Sequence, residues 1–183
     1  MSKKVLVAVA DGTEELEAVT IIDILRRAGA AVTVASVSGI EITASRGVKI
    51  VADKHIDQCK GETFDAVVLP GGMPGAEHLR DSKPLIDIVK SQKASGRLYA
   101  AICASPAVVL AYHGLIDDKK VTGYPSTSDK LPNYSGGSVV VDANCITSQG
   151  PATAMEFAIA LVENLYGEQK ASDVSAGLLL TRR

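Results

Sequence analysis

Short valine-rich runs, bounded by glycine or proline and separated by stretches of helical spacing, set the fold class of this chain. "KKVLVAVA", "AVTVASV", "FDAVVLP" and "RLYAAIC" carry apolar residues at successive rather than alternate positions. A strand of that kind is buried on both faces, as in a mostly parallel sheet with helices on either side. "TEELEAVTIIDILRRAG" reads as an amphipathic helix ending at Gly29, and a second helix runs from Pro84 to about Lys93. A last helix spans Pro151 to Tyr166, with proline at its start and Gly167 beyond its end. The alternation implies an α/β fold, a doubly wound, mostly parallel sheet sandwiched by helices.

The remaining segments fill in around that frame. "ITASRGVKIVADK" reads as an extended pair turning near Arg46 and Gly47, and "GGMPGAEHLRDS" as a loop. "KKVTGY" suggests a short strand, and "SVVVDANCITS" a hairpin with its turn at "DAN". The tail "SAGLLLTRR" is apolar before its final charges and is expected to pack on the body or on a second subunit.

At 183 residues the chain suits one domain, 1–183, long enough to bury a core. A net charge of −2 leaves no basic surplus for nucleic acid or a membrane surface, and no apolar run reaches the length of a membrane span. The first residues enter a strand pattern directly, so no signal peptide is expected. The expected location is cytoplasmic, or an organelle such as the chloroplast if a transit peptide has been removed. Cys59, Cys103 and Cys145 are an odd count without metal-ligand spacing. They point to free thiols in a reducing compartment, with no metal.

In a doubly wound sheet, ligands bind outside the carboxyl ends of the strands. Three such ends carry unusual residues. Cys103 stands between "RLYAAI" and "SPAVVLAYHG", where Ser105 and Pro106 are helix start signals and Gly114 a stop. A thiol there feels the helix dipole and nearby N–H groups, which lowers its pKa, and a tight turn exposes the sulfur. The alternative is a small buried hydrophobe, the default for Cys59 and Cys145. Glu17 shares a helical column with Ile21, Ile24 and Ala28, while Glu15, Asp23 and Arg26 lie on the opposite side. A carboxyl on an apolar column is partly desolvated, so its pKa rises and it can donate a proton. Against this stands a plain helix-dipole role, which accounts for Glu14 and Glu15. Third, Gly71 and Gly72 in "PGGMPG" let backbone N–H groups approach a ligand, although a plain turn has the same signature.

These motifs, in this order, resemble the DJ-one family, the parkinsonism-associated deglycases of the ThiJ/PfpI superfamily. The likeness runs from "KKVLVAVADGTEELEAV" through "VVLPGGMPGAEHL" and "AAICASPAVVLA" to "TSQGPATAMEFAIALVE". It implies a flavodoxin-like fold, a homodimer, no cofactor, and a reactive cysteine at Cys103 that oxidises readily to a sulfinate. It places the hydrogen-bonding carboxyl on Glu17 and the backbone donors on Gly72 and Ala104. Arg46 falls on a family arginine near the pocket, Arg27 on another in the dimer region, and Pro151 on a proline of the pocket wall.

The chain departs from relatives at two places. The protease-like branch has histidine after its cysteine, where this chain has Ala104, so the base of a Cys–His pair is missing. Many animal relatives have a histidine-proline pair where this chain has Tyr124–Pro125, and the plant-type branch shares the tyrosine. None of His55, His78 and His113 falls on either position. Acid–base work then rests on Glu17, with Tyr124 as a possible aid. The resemblance implies a glyoxalase or deglycase acting on small dicarbonyls or glycated protein, with a redox-sensing chaperone as the alternative. A hydrolase is disfavoured by the missing histidine.

Overall fold

The computed structural model describes residues 2–180. In chain order the strands are β1 (Lys4–Val9), β2 (Ala31–Ser36), β3 (Glu41–Thr43), β4 (Lys49–Val51), β5 (Lys54–His55), β6 (Ala66–Leu69), β7 (Leu98–Ile102), β8 (Val139–Asp142) and β9 (Cys145–Ser148). The helices are α1 (Glu15–Arg27), α2 (Gly75–Asp81), α3 (Lys83–Ala94), α4 (Ala154–Tyr166) and α5 (Glu168–Gly177). Seven strands form one sheet in the order β5-β2-β1-β6-β7-β9-β8, parallel throughout except where β8 meets β9. This is the doubly wound α/β sandwich that the alternating runs imply, and the flavodoxin-like fold that the resemblance implies.

The register explains the valine-rich composition. Val7 of β1 lies opposite Val34 on one side and Val68 on the other, and Val5 through Val9 are all fully buried. Helices α1, α4 and α5 pack on one another over one face of the sheet, while α2, α3 and the helix after Cys103 cover the other. On α1 the buried positions include Ala18, Ile21, Ile24 and Leu25, the stripe that its periodicity predicts. Strand order reverses between β1 and β6, so the loops after β1, β6 and β7 converge at one end of the sheet.

The structure differs from the sequence expectations at four places. The segment expected as a loop after β6 contains α2, whose Ala76 and Leu79 are buried one turn apart, a short repeat overshadowed by the glycines before it. "KKVTGY" forms no strand. Val121 makes a single bridge to Tyr134, and the Thr122 N–H is taken by the Thr147 side chain, which stops the ladder. The helix after Cys103 is π-wound over Pro106–Ala111, and it closes at Gly114, where φ is 64° and the Leu115 N–H donates back to the Leu110 carbonyl at 2.9 Å. Finally, the helix that ends at Tyr166, as expected, is not the last one. Gly167 is followed by α5, which buries Ala171 and Val174 against α4.

Of the apolar tail, Leu178 and Leu180 pack on the core and Leu179 is 93% exposed, while residues 181–183 lie outside the described residues. The extended pair around Arg46 is an antiparallel ribbon, with Thr43 opposite Lys49, and it stands apart from the main sheet. Among the described residues no helix is long and apolar enough to cross a membrane.

Candidate active site

The β1–α1 loop begins with a tight turn in which Thr13 is fully buried and its hydroxyl accepts the Ala10 N–H at 2.9 Å. Glu14 then caps α1, its carboxylate accepting the Glu17 N–H at 2.7 Å. These contacts set the first turn of α1 and turn Glu17 inward, where it has no exposure at all. The β6–α2 loop approaches from the side. Gly71 gives its N–H to Glu17 Oε2 at 2.7 Å, and its carbonyl accepts the Glu14 N–H at 2.9 Å.

Neither glycine of this loop leaves space for a side chain. A Cβ at Gly71 would stand 2.6 Å from Cys103 Cβ and 3.0 Å from both Cys103 Sγ and Glu17 Oε2. A Cβ at Gly72 would stand 2.4 Å from the Glu14 nitrogen, and the residue also has φ at 91°. The bare backbone of the loop is what lets the carboxyl and the sulfur share one small volume.

Cys103 directly follows β7 with φ at 65°, a left-handed conformation that costs a non-glycine residue roughly 1–2 kcal/mol. The turn is held on both sides, by Cys103 N–H to the Ser148 carbonyl at 3.0 Å and by Tyr124 N–H to the Cys103 carbonyl at 2.8 Å. Ser105 does not act as the helix cap that its position suggests. It is fully buried, and its hydroxyl donates to the Pro70 carbonyl at 2.5 Å, tying the β7 turn to the β6 loop.

The electrostatics confirm one sequence expectation and overturn another. Burial raises the Glu17 carboxyl to about 7, against the hydrogen bond from Gly71 and the contact with Cys103, which favour ionisation. Among the described residues Glu17 Oε1 has no conventional hydrogen-bond partner; the Cys103 thiol contacts this carboxyl, and the Glu14 charge opposes its ionisation. The thiol was expected to have a lowered pKa and an exposed sulfur. Instead Cys103 is only 8% exposed, and burial first, then the charge of ionised Glu17, pushes it up to about 12. Backbone N–H groups of Gly72 and Ala104 reach the sulfur and oppose that rise without overcoming it.

These shifts belong to one coupled pair. Beyond the effect of burial, a carboxylate at Glu17 repels charge on the sulfur. When the proton sits on Glu17 the repulsion is gone, and the carboxylic acid can donate to the sulfur. Cys145 is also pushed up to about 12 by burial and has the Tyr99 hydroxyl as its hydrogen-bonding neighbour, while Cys59 is raised by burial against the opposing charge of Lys54.

Of the remaining predicted residues, Tyr124 is 45% exposed, joined to the Cys103 backbone, and its ring lies against Gly150, where a Cβ would come within 3.4 Å. Pro151 follows Gly150 and opens a 3-10 turn before α4. Gly71, Gly72, Ala104, Glu17 and Cys103 are thus brought together, with Tyr124 and Pro151 beside them. Arg46 is not joined to them. Its side chain is exposed and, among the described residues, reaches only the Ser45 carbonyl at 3.5 Å, while its N–H is held by Glu15 at 2.8 Å. Arg27 forms an exposed ion pair with Asp23 at 2.7 Å.

Glu15 itself was placed on the outer side of α1, yet it is buried. Its carboxyl is held below the usual range by Ser45 and by backbone N–H groups including Arg46 and Val48, which outweigh the opposing effect of burial. It fastens the β3–β4 ribbon to the start of α1. Helix periodicity alone could not show this, because the partner comes from a separate ribbon.

The sequence profile of the DJ-1/PfpI family matches residues 3–164. Protein DJ-1 homolog B of Arabidopsis thaliana is 47% identical over 97% of this chain, which spans 41% of that relative's length. Glutathione-independent glyoxalase DJR-1.2 of Caenorhabditis elegans is 36% identical over 94% of this chain and 93% of its own. The solved structure of Toxoplasma gondii DJ-1, oxidized, superposes with a TM-score of 0.97 at 49% identity, covering 99% of this chain and all of that one.

The raised Glu17 value makes stability depend on pH. Between its unfolded value of 4.5 and about 7 the folded chain binds the extra proton, so stability falls as pH rises through that window. The loss is on the order of 3 kcal/mol, complete above about pH 7. Glu17→Gln removes it. Denaturant unfolding is therefore expected to show the variant gaining on wild type by that order between pH 4 and pH 8. A difference that does not change with pH contradicts the assignment.

Proposed function

The chain belongs to the DJ-1/PfpI family, and we propose that it is a cofactor-independent glyoxalase or deglycase that converts methylglyoxal and glyoxal to hydroxy acids. The observation that carries this reading is the fully buried Glu17 carboxyl, raised to about 7 and in contact with the Cys103 thiol. A group that titrates near neutral pH serves as both acid and base. The Caenorhabditis elegans relative that bears the name glyoxalase supports the same chemistry.

The reaction begins with the proton on Glu17 and the charge on sulfur. The thiolate adds to the aldehyde carbon of methylglyoxal, and the carbonyl electron pair moves to oxygen. Gly72 and Ala104 N–H groups, which already face the sulfur, stabilise that oxyanion before Glu17 protonates it. The Glu17 carboxylate then takes the proton from the same carbon, giving an enediolate; Glu17 returns that proton to the neighbouring carbon while the hydroxyl proton of the sulfur-bearing carbon passes to the neighbouring oxygen. The product is a lactoyl thioester on Cys103. Water cleaves its C–S bond, releasing lactate and restoring the thiol. Methylglyoxal plus water gives lactate, so one carbon is oxidised while its neighbour is reduced and no external electron carrier is needed. The 8% exposure of Cys103 suits a three-carbon substrate better than an adduct on a folded protein surface.

A second reading, a redox sensor, is favoured by the oxidised state named for the Toxoplasma structure. In it, two equivalents of a peroxide oxidise the Cys103 thiolate to a sulfinate, which accepts a hydrogen bond from protonated Glu17, with chaperone-like binding downstream. Turnover separates the two. Lactate formation from methylglyoxal is expected to disappear in Cys103→Ser and to fall by on the order of a hundredfold or more in Glu17→Gln. Wild-type turnover no faster than that of a free thiol would leave the sensor reading.

We also infer a homodimer. Leu16 (53%), Val19 (51%) and Val48 (49%) are about half exposed, and Glu15 fastens the ribbon that carries Val48 to the turn that carries Leu16. Sedimentation at micromolar concentration is expected to give the mass of two chains, and a monomeric mass contradicts the inference.

A further inference from the structure

The cavity next to Arg97 lies at the amino-terminal ends of the parallel strands, the end of the sheet opposite the Cys103 loops. It has a volume of about 510 Å³, and its walls include Lys3, Asp65, Arg97, Asn144 and Asn164. Lys3, Asp65, Arg97 and Asn144 immediately precede β1, β6, β7 and β9, so the sheet itself sets their spacing. Asn164 comes from the last turn of α4.

Arg97 is the unusual member. It is half-buried, and its Nε donates to Gln92 Oε1 at 2.9 Å. Gln92 is 2% exposed and is pinned in turn by its amide to the Leu98 carbonyl at 3.0 Å. The guanidinium is therefore fixed at one edge, and among the described residues neither of its Nη groups has a hydrogen bond or a carboxylate partner. A pre-oriented fork of this kind suits a ligand with two oxygens on one centre.

The charge around it has the matching sign. Lys3 Nζ is 3.5 Å from Asp65 Oδ1, a loose pair, and the other Asp65 oxygen is occupied by the Lys4 N–H at 2.8 Å. Two cations thus face one carboxylate. Asn144 and Asn164 each spend their amide N–H₂ on a backbone carbonyl, Arg97 and Ala160 respectively, which leaves their side-chain oxygens as acceptors. Arg97 also borders a cavity of about 350 Å³ that contains Glu62 and Asp87, and those acids make that side the worse host for an anion.

We propose that this cavity binds a small oxyanion, a phosphate or carboxylate group, with hydroxyls on the same ligand donating to Asn144 and Asn164. Arg97 supplies the bidentate contact and Lys3 the second charge. The site is separate from the Cys103–Glu17 pair, and the proposal does not depend on the glyoxalase reading.

Inorganic phosphate is the probe, with acetate in a parallel titration, both at constant ionic strength. Amide signals of Gly96, Arg97 and Asn144 in 15N NMR spectra of the full chain are expected to shift saturably with phosphate. Arg97→Gln is expected to abolish the saturable shifts and Lys3→Gln to weaken binding about tenfold, with Cys103 alkylation unchanged in both. Should Arg97→Gln fail to fold, the Lys3→Gln affinity and the Arg97 Nε–H signal of wild type decide alone. Shifts that grow linearly without saturation, or that persist in the variants, overturn the site. A response to acetate but not phosphate assigns it to carboxylates.

Discussion

The backbone of Gly71 makes the contacts on which the candidate site depends. Its N–H holds Glu17 Oε2 and its carbonyl holds the Glu14 N–H, so a single residue fastens the β6 loop to the first turn of α1. The same residue lacks a Cβ where one would collide with Cys103. Ser105 completes the frame from the third loop by donating to Pro70, the residue before Gly71. Three loops from three neighbouring parallel strands are thereby locked at one point, and the strand order β1-β6-β7 is what makes them neighbours.

Within that frame two costs are held in tension. Cys103 is kept in a left-handed conformation, and Glu17 is kept where its charge is poorly solvated. Neither would persist on an isolated segment. The surrounding sheet, with Val5–Val9 of β1 fully buried between β2 and β6, supplies the cohesion that supports both. The arrangement leaves one proton with two hosts of opposed preference: burial favours a neutral carboxyl, and the N–H groups of Gly72 and Ala104 favour a charged sulfur.

How much of this could be read in the sequence follows from the range of each interaction. Glu17 was visible because its column, with Ile21 and Ile24, is a local repeat on one helix, and Cys103 because strand and helix signals meet there. The sign of the thiol's pKa was not visible. It depends on how deeply the turn is buried, which is decided by Ser105 reaching across to the β6 loop and by Gly71 closing over the sulfur. Helix α5 was missed because Ala171 and Val174 are its buried apolar residues, too few to stand out from the polar stretch around them. The roles of Glu15 and Arg97 were missed for another reason: the partners of Glu15 lie about thirty residues away, and the surroundings of Arg97 come from separate strand ends.

The central claim is that Glu17 and Cys103 titrate as one pair, and the pH profile of Cys103 alkylation by iodoacetamide tests it most directly. In a coupled pair the reactive form, proton on Glu17 and charge on sulfur, appears with the first ionisation and then stays constant until the second. Wild type is therefore predicted to rise to a plateau with its inflection near pH 7, where the Glu17 carboxyl titrates. Glu17→Gln has no second host for the proton, so its rate should climb with the ionisation of the thiol alone and show no inflection near pH 7. Superimposable profiles for the two proteins would contradict the account.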